Sequence, residues 1–504
     1  MRYIPDARQM KNADLYTIEK INIPSLELME RAAVSCIDVM KENNLDMSHV
    51  CIICGSGNNG GDGFAIARLL VQEGKKVTVV MAGNPEKATS ETIYQMNLLK
   101  ETSAFVTNEF KPSDYSMIVD AIFGVGLSRK IEGRYYNLIE KLNSSNGIKV
   151  AVDIPSGISA DNGTILGIAF QADYTVTFQT EKLGHIFYPG KQLCGKTIIK
   201  DIGISEIFFE NSSDVSVVYE NDDYKKMLPI RLENSHKGTY GKLLIIAGSK
   251  GMSGAAYLNA MAAYMSGAGL VQIYTAEENR IILQSILPEA IITTYDKYDE
   301  KKLLELISWA DTICIGSGLG MSDVSKNILK RVIFESEVPC VIDADGLNIL
   351  SEHMWYLDKK KHTQYILTPH MKEMSRLTGI DIGKIKTDRK HIIEEITTKY
   401  NLTCVLKDSR TCIKSFDERM AINMSGNSSM AKAGSGDVLA GIIAGILVQT
   451  RSCTQSAILG TYIHGQCGDV ARREKGSYSV MARDLTECIG VVFKREEGKN
   501  YEEL

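Results

Sequence analysis

A recurring alternation constrains this chain most: short, apolar, β-branched runs, each followed by a stretch long enough for a crossover helix. The first series lies at residues 50–54, 76–81, 117–121 and 149–153. After an acidic, irregular passage at 210–214, a second series starts at 242–247 and continues at 312–316, 339–343, 365–368 and 403–407. Strands apolar throughout belong to parallel sheets covered by helices on both faces, so the expected class is α/β with layered domains. At 504 residues the chain exceeds what one hydrophobic core supports, and two large domains follow. The boundary is expected near 215, with domains over 1–212 and 220–500. The two series share a rhythm but no motif, so no internal repeat is expected.

Hydrophobic residues at 44% and charged residues at 24% give the balance of a protein that buries a sizeable core. A formal net charge of -5 leaves no basic stripe to steer a polyanion, and aromatics at 7% offer few stacking platforms. Nucleic acid is therefore not an expected partner. The N-terminus lacks the apolar segment of a secretory signal, and the longest apolar run, 438–448, is too short to span a bilayer. A cytoplasmic location without membrane contact is expected. Of the 11 cysteines, Cys51 and Cys54 form a CxxC inside an apolar run. With no second pair at zinc spacing, they read as packed strand thiols.

The first run opens into Gly55-Ser-Gly-Asn-Asn-Gly-Gly-Asp-Gly63 and then a helical segment. Gly55, Gly57 and Gly60 match the dinucleotide fingerprint, in which a helix N-terminus faces a pyrophosphate. The acidic residue that holds a ribose in dehydrogenases is missing, because the second run ends Val79-Val-Met-Ala-Gly-Asn84. Two further runs end in carboxylates beside loops: Asp120 before Gly124-Val-Gly-Leu-Ser-Arg129, and Asp153 before Ile154-Pro-Ser-Gly157. In an open parallel sheet such ends form one crevice, so these pieces are expected to converge.

These three motifs, in this order, resemble the NAD(P)H-hydrate epimerase family over about residues 1 to 212. The resemblance implies a Rossmann-like doubly wound domain that grips hydrated NAD(P)H, NAD(P)HX, through Asn58, Asn59, Gly60, Gly61 and Asp62. Its second loop would be Gly124, Val125, Gly126, Leu127, Ser128, Arg129 and Lys130. Asp153 would touch the nicotinamide end and serve as the catalytic proton carrier. The resemblance also implies a potassium ion on Asn59, Asp120 and Ser156, oxygen ligands suited to a hard cation.

In the second half, Gly248-Ser-Lys-Gly-Met-Ser-Gly254, Gly316-Ser-Gly-Leu-Gly320 and Asp343-Ala-Asp-Gly346 again follow apolar runs. The sharpest signal is Asn427-Ser-Ser-Met-Ala-Lys-Ala-Gly-Ser-Gly-Asp437, leading into the apolar segment 438–448. Glycines at a helix N-terminus bare N–H groups for a phosphoryl oxygen, and an Asp there can take a proton from an attacking hydroxyl. This is phosphoryl-transfer architecture without a Walker loop. The competing reading of Asp437 is a helix cap.

Together these segments resemble the ADP-dependent NAD(P)H-hydrate dehydratases, a ribokinase-like α/β family, over about residues 220 to 495. The resemblance implies ADP contacts at Lys407, Asp408, Ser409, Arg410 and Thr411. It adds Asn427, Ser428, Ser429, Met430, Ala431, Lys432, Ala433, Gly434, Ser435 and Gly436. Hydrate contacts would be Gly318, His370, Met371, Lys372, Glu373, Met374, Ser375, Arg376 and Asp437. Magnesium is expected with the nucleotide, with Glu373 a candidate for its shell. Two departures stand out: Ala433 and Lys372 replace glycines of the family pattern.

The implied function is repair: epimerisation of R and S NAD(P)HX, then ADP-dependent dehydration of the S form to NAD(P)H with release of AMP and phosphate. Asp437 would activate the hydroxyl. NADHX, NADPHX and ADP are the expected partners, and a homo-oligomer the expected assembly. A small-hydroxyl kinase with an N-terminal binding domain is the alternative enzyme, distinguished by a stable phosphorylated product. An N-terminal ligand-sensing module is the third reading.

Overall fold

The computed structural model describes residues 1–497 and divides into two compact units, Arg2–Ser216 and the chain from Val217 onward. The expected end of the second domain at 500 lies outside the described residues.

The first unit is built on β1 (His49–Cys54), β2 (Lys76–Met81), β3 (Phe105–Thr107), β4 (Met117–Ala121), β5 (Ile148–Val152), β6 (Tyr174–Phe178) and β7 (Lys196–Lys200). All pairings are parallel, in the order β3-β2-β1-β4-β5-β6-β7. The reversal between β1 and β4 is the switch point of a doubly wound sheet, where strand C-termini leave a crevice. Alternate residues of each strand serve opposite cores. Val50, Ile52, Cys54 and Val119 pack under the helices Ser25–Glu42 and Asn58–Gln72, whereas Cys51, Ile53 and Ile118 face Ile139 and Leu142. Both faces are covered, which is why the runs read as wholly apolar. Each fully buried aliphatic side chain contributes about 1.5–3 kcal/mol. The same alternation puts Cys51 and Cys54 on opposite faces of the sheet, both buried and free.

The helix Ala7–Lys20 begins at a capping box: Asp6 Oδ1 accepts from Gln9 N at 2.8 Å, and Gln9 Oε1 accepts from Asp6 N at 2.9 Å. Such a cap is worth about 1 kcal/mol. It fixes the helix phase, and with it the face carrying Met10, Asp14 and Ile18 at four-residue spacing.

The second unit contains β8 (Ser216–Val218), β9 (Lys242–Ile246), β10 (Leu270–Ala276), β11 (Ile291–Tyr295), β12 (Thr312–Ile315), β13 (Cys340–Ile342), β14 (Tyr365–Leu367), β15 (Thr403–Leu406), β16 (Cys412–Ser415) and β17 (Ala421–Ile422). Its parallel part runs β11-β10-β9-β12-β13-β14-β15, the same winding as the first unit. Strand β16 then pairs antiparallel with β15, β17 antiparallel with β16, and β8 parallel with β17. The helix Ser435–Thr450 is buried from Val438 to Val448. A helix apolar all round needs cover on every side. Among the described residues, no helix is long and apolar enough to cross a membrane.

Candidate active sites

In the first unit a cleft of about 680 Å³ opens at the β1/β4 switch point. Gly55 makes the turn out of β1. A Cβ there would stand 2.0 Å from Ile122 O, and one at Gly60 would stand 2.0 Å from Gly55 O, so strand, turn and helix close only with glycine. The helix Asn58–Gln72 starts at Gly57 with no side-chain cap, leaving its first N–H groups for a ligand. Asn58, Asn59, Asp62, Asp153 and the loop residues Gly124, Val125, Gly126, Leu127, Ser128 and Arg129 all line the cleft. Gly60 and Gly61 are buried in backbone and helix packing, and Lys130 lines a neighbouring hollow with Phe123 and Tyr135. Those three are not brought to the cleft wall.

Asp120 is fully buried. Its oxygens accept from Ser156 N at 2.7 Å, Ser156 Oγ at 2.7 Å and Ile122 N at 3.1 Å. Burial pushes its carboxyl up to about 6, against the lowering pull of the Ser156 bonds. Asn59 packs against the start of the second loop: a Cβ on Gly124 would stand 3.2 Å from Asn59 Oδ1, and Asn59 Nδ2 is buried without a hydrogen-bond partner.

Asp153 sits just beyond β5 in the left-handed region, at φ 63°. Such backbone in a non-glycine residue is held only by strong surroundings. Here Lys182 Nζ donates to Asp153 Oδ1 at 2.6 Å, to Thr177 Oγ1 at 2.8 Å and to Phe178 O at 3.1 Å. Thr177 Oγ1 also donates to Asp153 Oδ1 at 3.2 Å. His185 Nδ1 accepts from Lys182 N at 3.0 Å, so its Nε2 carries the proton donated to Asp153 O at 2.8 Å. Burial alone would raise the Asp153 carboxyl, but Lys182 holds it below the usual range. His185 is pushed down to about 4, chiefly by burial, and is neutral. Thr177, Lys182 and His185 escaped the sequence reading, which stopped at the run before β6, and Asp14 of the helix Ala7–Lys20 escaped it too. The signal was available, since Lys182 follows a strand end just as Asp153 does.

In the second unit, the C-terminal ends of β12 to β15 converge. Lys407 Nζ donates to Asp343 Oδ1 at 2.7 Å and lies 3.8 Å from Glu373 Oε2. Thr368 Oγ1 donates to Asp343 Oδ1 at 2.6 Å. A Cβ on Gly436 would stand 3.6 Å from Lys407 Nζ, so the ammonium faces the N-terminus of the helix Ser435–Thr450. Gly434 caps that helix at φ 91°, a conformation that glycine alone adopts freely. In its first turn Asp437 is pushed up to about 7 by burial and the Asp343 charge, against a Ser317 hydrogen bond and Lys407. Gly318 follows Ser317 in the loop after β12, with its carbonyl accepting from Ser249 N at 2.6 Å.

Not every expected contact faces this site. His370 Nδ1 accepts from Lys372 N and Glu373 N at 3.1 Å each, capping the helix Met371–Thr378. Glu373 Oε2 returns the bond to His370 N at 2.8 Å, and burial raises its carboxyl. Met374 is fully buried, while Met371 and Ser375 are half-buried. Lys372 lies inside the helix with its side chain exposed, so the position needs no glycine freedom. Arg376 donates to Asn348, which donates to Asp345 Oδ1 at 3.4 Å; Asp345 Oδ2 accepts from Gly320 N at 2.8 Å.

Of the two segments expected to hold ADP, the first ends at Thr411, whose carbonyl accepts from Asn423 N at 2.9 Å, four residues before the second begins. Asp408 accepts from Ser409 N at 2.8 Å, and Arg410 leans toward Met424 O at 3.5 Å. Asn427 binds Asp469, and its Oδ1 accepts from Ser429 N and Oγ, so these side chains shape the turn Ser428–Met430. Ala431, Lys432 and Ala433 are exposed, Lys432 donating to Tyr478 O at 2.6 Å. The Ser435 hydroxyl meets buried His464 Nε2 at 3.2 Å. Asp343 and Ser317 lie in loops that the sequence marked without giving either residue a role, and His464 was not singled out.

A family model described as NAD(P)H-hydrate dehydratase matches residues 243–490, and one described as YjeF-related protein N-terminus matches residues 25–184. The bifunctional NAD(P)H-hydrate repair enzyme Nnr of Coxiella burnetii is 35% identical over 487 residues, covering 96% of this chain and 98% of that protein. The protein of the same name from Moorella thermoacetica is 34% identical over 516 residues, covering 98% and 97%. The crystal structure of a ribokinase-like superfamily protein from Enterococcus faecalis is 27% identical with a TM-score of 0.50, covering 56% of this chain and 96% of that one.

Proposed function

Since the chain belongs to the family of bifunctional NAD(P)H-hydrate repair enzymes, we propose that each of its strand-end sites performs one of the two reactions. The cleft of residues 1–212 interconverts R and S NAD(P)HX. The site of residues 220–500 dehydrates the S form with ADP, releasing AMP and phosphate. The carrying observation is Asp437, a half-buried carboxyl at a glycine-capped helix N-terminus facing Lys407. Asp437 takes the proton of the hydrate's hydroxyl as that oxygen attacks the β-phosphorus of ADP and AMP leaves. The helix N–H groups and Lys407 hold the transferring phosphoryl, a stabilisation of about 3 kcal/mol per donor. Phosphate then departs as the ring loses a proton and regains its double bond. Incubation of S-NADHX with ADP is expected to give NADH, AMP and phosphate in equal amounts, and an accumulating phosphorylated hydrate would make the site a kinase. Magnesium, when bound, neutralises the phosphates; Asp343 and Glu373 supply carboxylates suited to it.

Potassium fits the first site. Asp120 is a buried carboxylate that no cationic side chain among the described residues meets, and flipping the Asn59 amide would put an oxygen where its nitrogen is now buried without a partner. Asp120, Ser156 and Asn59 would hold the ion against the loop that begins at Gly124, which it would order. Asp120→Asn is expected to raise the potassium concentration needed for half-maximal epimerisation roughly 10-fold or more, with ADP-dependent dehydration unchanged. An unaltered potassium dependence rejects the assignment. Because each unit has its own core, fragments 1–216 and 217–504 are each expected to fold and keep one activity; failure of either to show a cooperative melt would reject the boundary.

A further inference from the structure

Adding water across the double bond next to nitrogen in dihydronicotinamide puts the hydroxyl on the carbon bonded to the ring nitrogen. Such a carbon inverts when the nitrogen lone pair expels the hydroxyl and water returns from the other face. Expulsion needs an acid to protonate the departing oxygen. Return needs an anionic base to take a proton from the incoming water.

The cleft supplies the base in Asp153, which Lys182 holds ionised. It also excludes several acids. Each of the three protons on Lys182 Nζ already has an acceptor, Asp153 Oδ1, Thr177 Oγ1 or Phe178 O. Both ring nitrogens of His185 are committed, to Lys182 N and Asp153 O. Asp120 is sealed beneath Ser156. Two cleft carboxyls remain, Asp14 and Asp62, and neither has a hydrogen bond to another described residue. Asp62 lies just past the first turn of the helix Asn58–Gln72, on the element whose N-terminus would meet the substrate's phosphates. Asp14 lies elsewhere, on the helix Ala7–Lys20, with Met10 and Ile18 of the same face also lining the cleft.

We propose that Asp14 is the general acid of epimerisation and works as a pair with Asp153. This rests on the reading of the cleft as the epimerase site. Asp14 gives its proton to the hydroxyl, the carbon–oxygen bond breaks, water leaves, and the nitrogen lone pair forms the carbon–nitrogen double bond of a cation. A second water adds to the opposite face and gives its proton to Asp153, and solvent in the cleft returns that proton to Asp14. In the reverse direction the roles exchange, so both directions need the pair to share one proton. Burial first, and then the Asp153 charge, push Asp14 up to about 7 against the pull of Lys182. Asp62, Asp153, Lys182 and Arg129 are the charged groups sharing the cleft with it. The acid form is lost as pH rises through that value, so epimerisation slows in both directions above it.

The test uses the full chain without nucleotide, so that the dehydratase is silent, and follows separated NADHX epimers in heavy-oxygen water. In the wild type the heavy oxygen should enter the product at the rate of inversion. Asp14→Asn should lower kcat at neutral pH by about 10² or more, bind NADHX within a fewfold of wild type, and lose the alkaline fall. Asp14→Glu should recover part of the rate. An active Asp14→Asn beside an inactive Asp153→Asn overturns the role of Asp14 and leaves the cleft assignment standing. Wild-type rates in both variants overturn the cleft assignment itself. Inversion without heavy oxygen, or loss of NADHX binding in Asp14→Asn, also overturns the proposal.

Discussion

An Asp437→Asn protein should recover NADH from its S-hydrate at least about 10²-fold more slowly than wild type, while epimerising the hydrate at wild-type speed. Asparagine keeps the size and one acceptor but cannot take the hydroxyl proton. Lys407 stays anchored on Asp343 at 2.7 Å and Gly434 still caps the helix. Nucleotide binding should therefore persist. The wild-type rate should rise with pH through about 7, where Asp437 loses its proton, and the variant should lack that step. Stability supplies the control. A carboxyl whose folded value is raised favours the native state below that value and disfavours it above, so removing the charge should leave the melting temperature unchanged or higher at pH ~8. A dehydration rate within a fewfold of wild type would return Asp437 to the role of helix cap.

The parallel strands at the centres of the sheets were legible because burial on both faces leaves their runs almost wholly apolar. The edges were not. Residues 105–107 form a short strand with exposed Phe105 and Val106, and 291–295 is only partly buried, so neither presents a continuous buried run. The common winding of the two sheets is a matter of strand order, which the βαβ rhythm leaves open. Glycine loops and strand-end carboxylates marked Asn58, Asp62, Asp153 and Asp437, because backbone approach and an Asp at a strand end leave local signals. Asp14 had none: it lies mid-helix on a polar segment, and only the packing of that helix brings it to the cleft. Met374 misled for the opposite reason. A motif read as one contact surface alternates in a helix between a cap, a buried core residue and exposed positions.

Lys182→Met should be the most damaging single change to the first unit, because it removes a cation and leaves its anion in place. Lys182 is 1% exposed and its partner Asp153 11%. Breaking such a pair from one side costs about 3–5 kcal/mol, since the remaining charge stays buried without compensation. The carboxyl then escapes by protonation, and the sign of the pH effect follows. In the wild type Asp153 lies below the usual range and contributes stability that is lost as pH falls through its folded value. In the variant its folded value lies above the unfolded one, so stability falls as pH rises. The gap in melting temperature between the two proteins should accordingly be widest near pH ~8 and shrink toward pH ~5. Epimerisation should fail throughout, because a protonated Asp153 cannot accept a proton from water, and dehydration by the second unit should continue. Adding Asp153→Asn to Lys182→Met should restore much of the stability but none of the epimerisation, which separates folding from chemistry at one pair. A melting temperature for Lys182→Met equal to wild type at pH ~8 would mean that Asp153 is solvated rather than buried, and the ion pair would lose its role in keeping the base ionised.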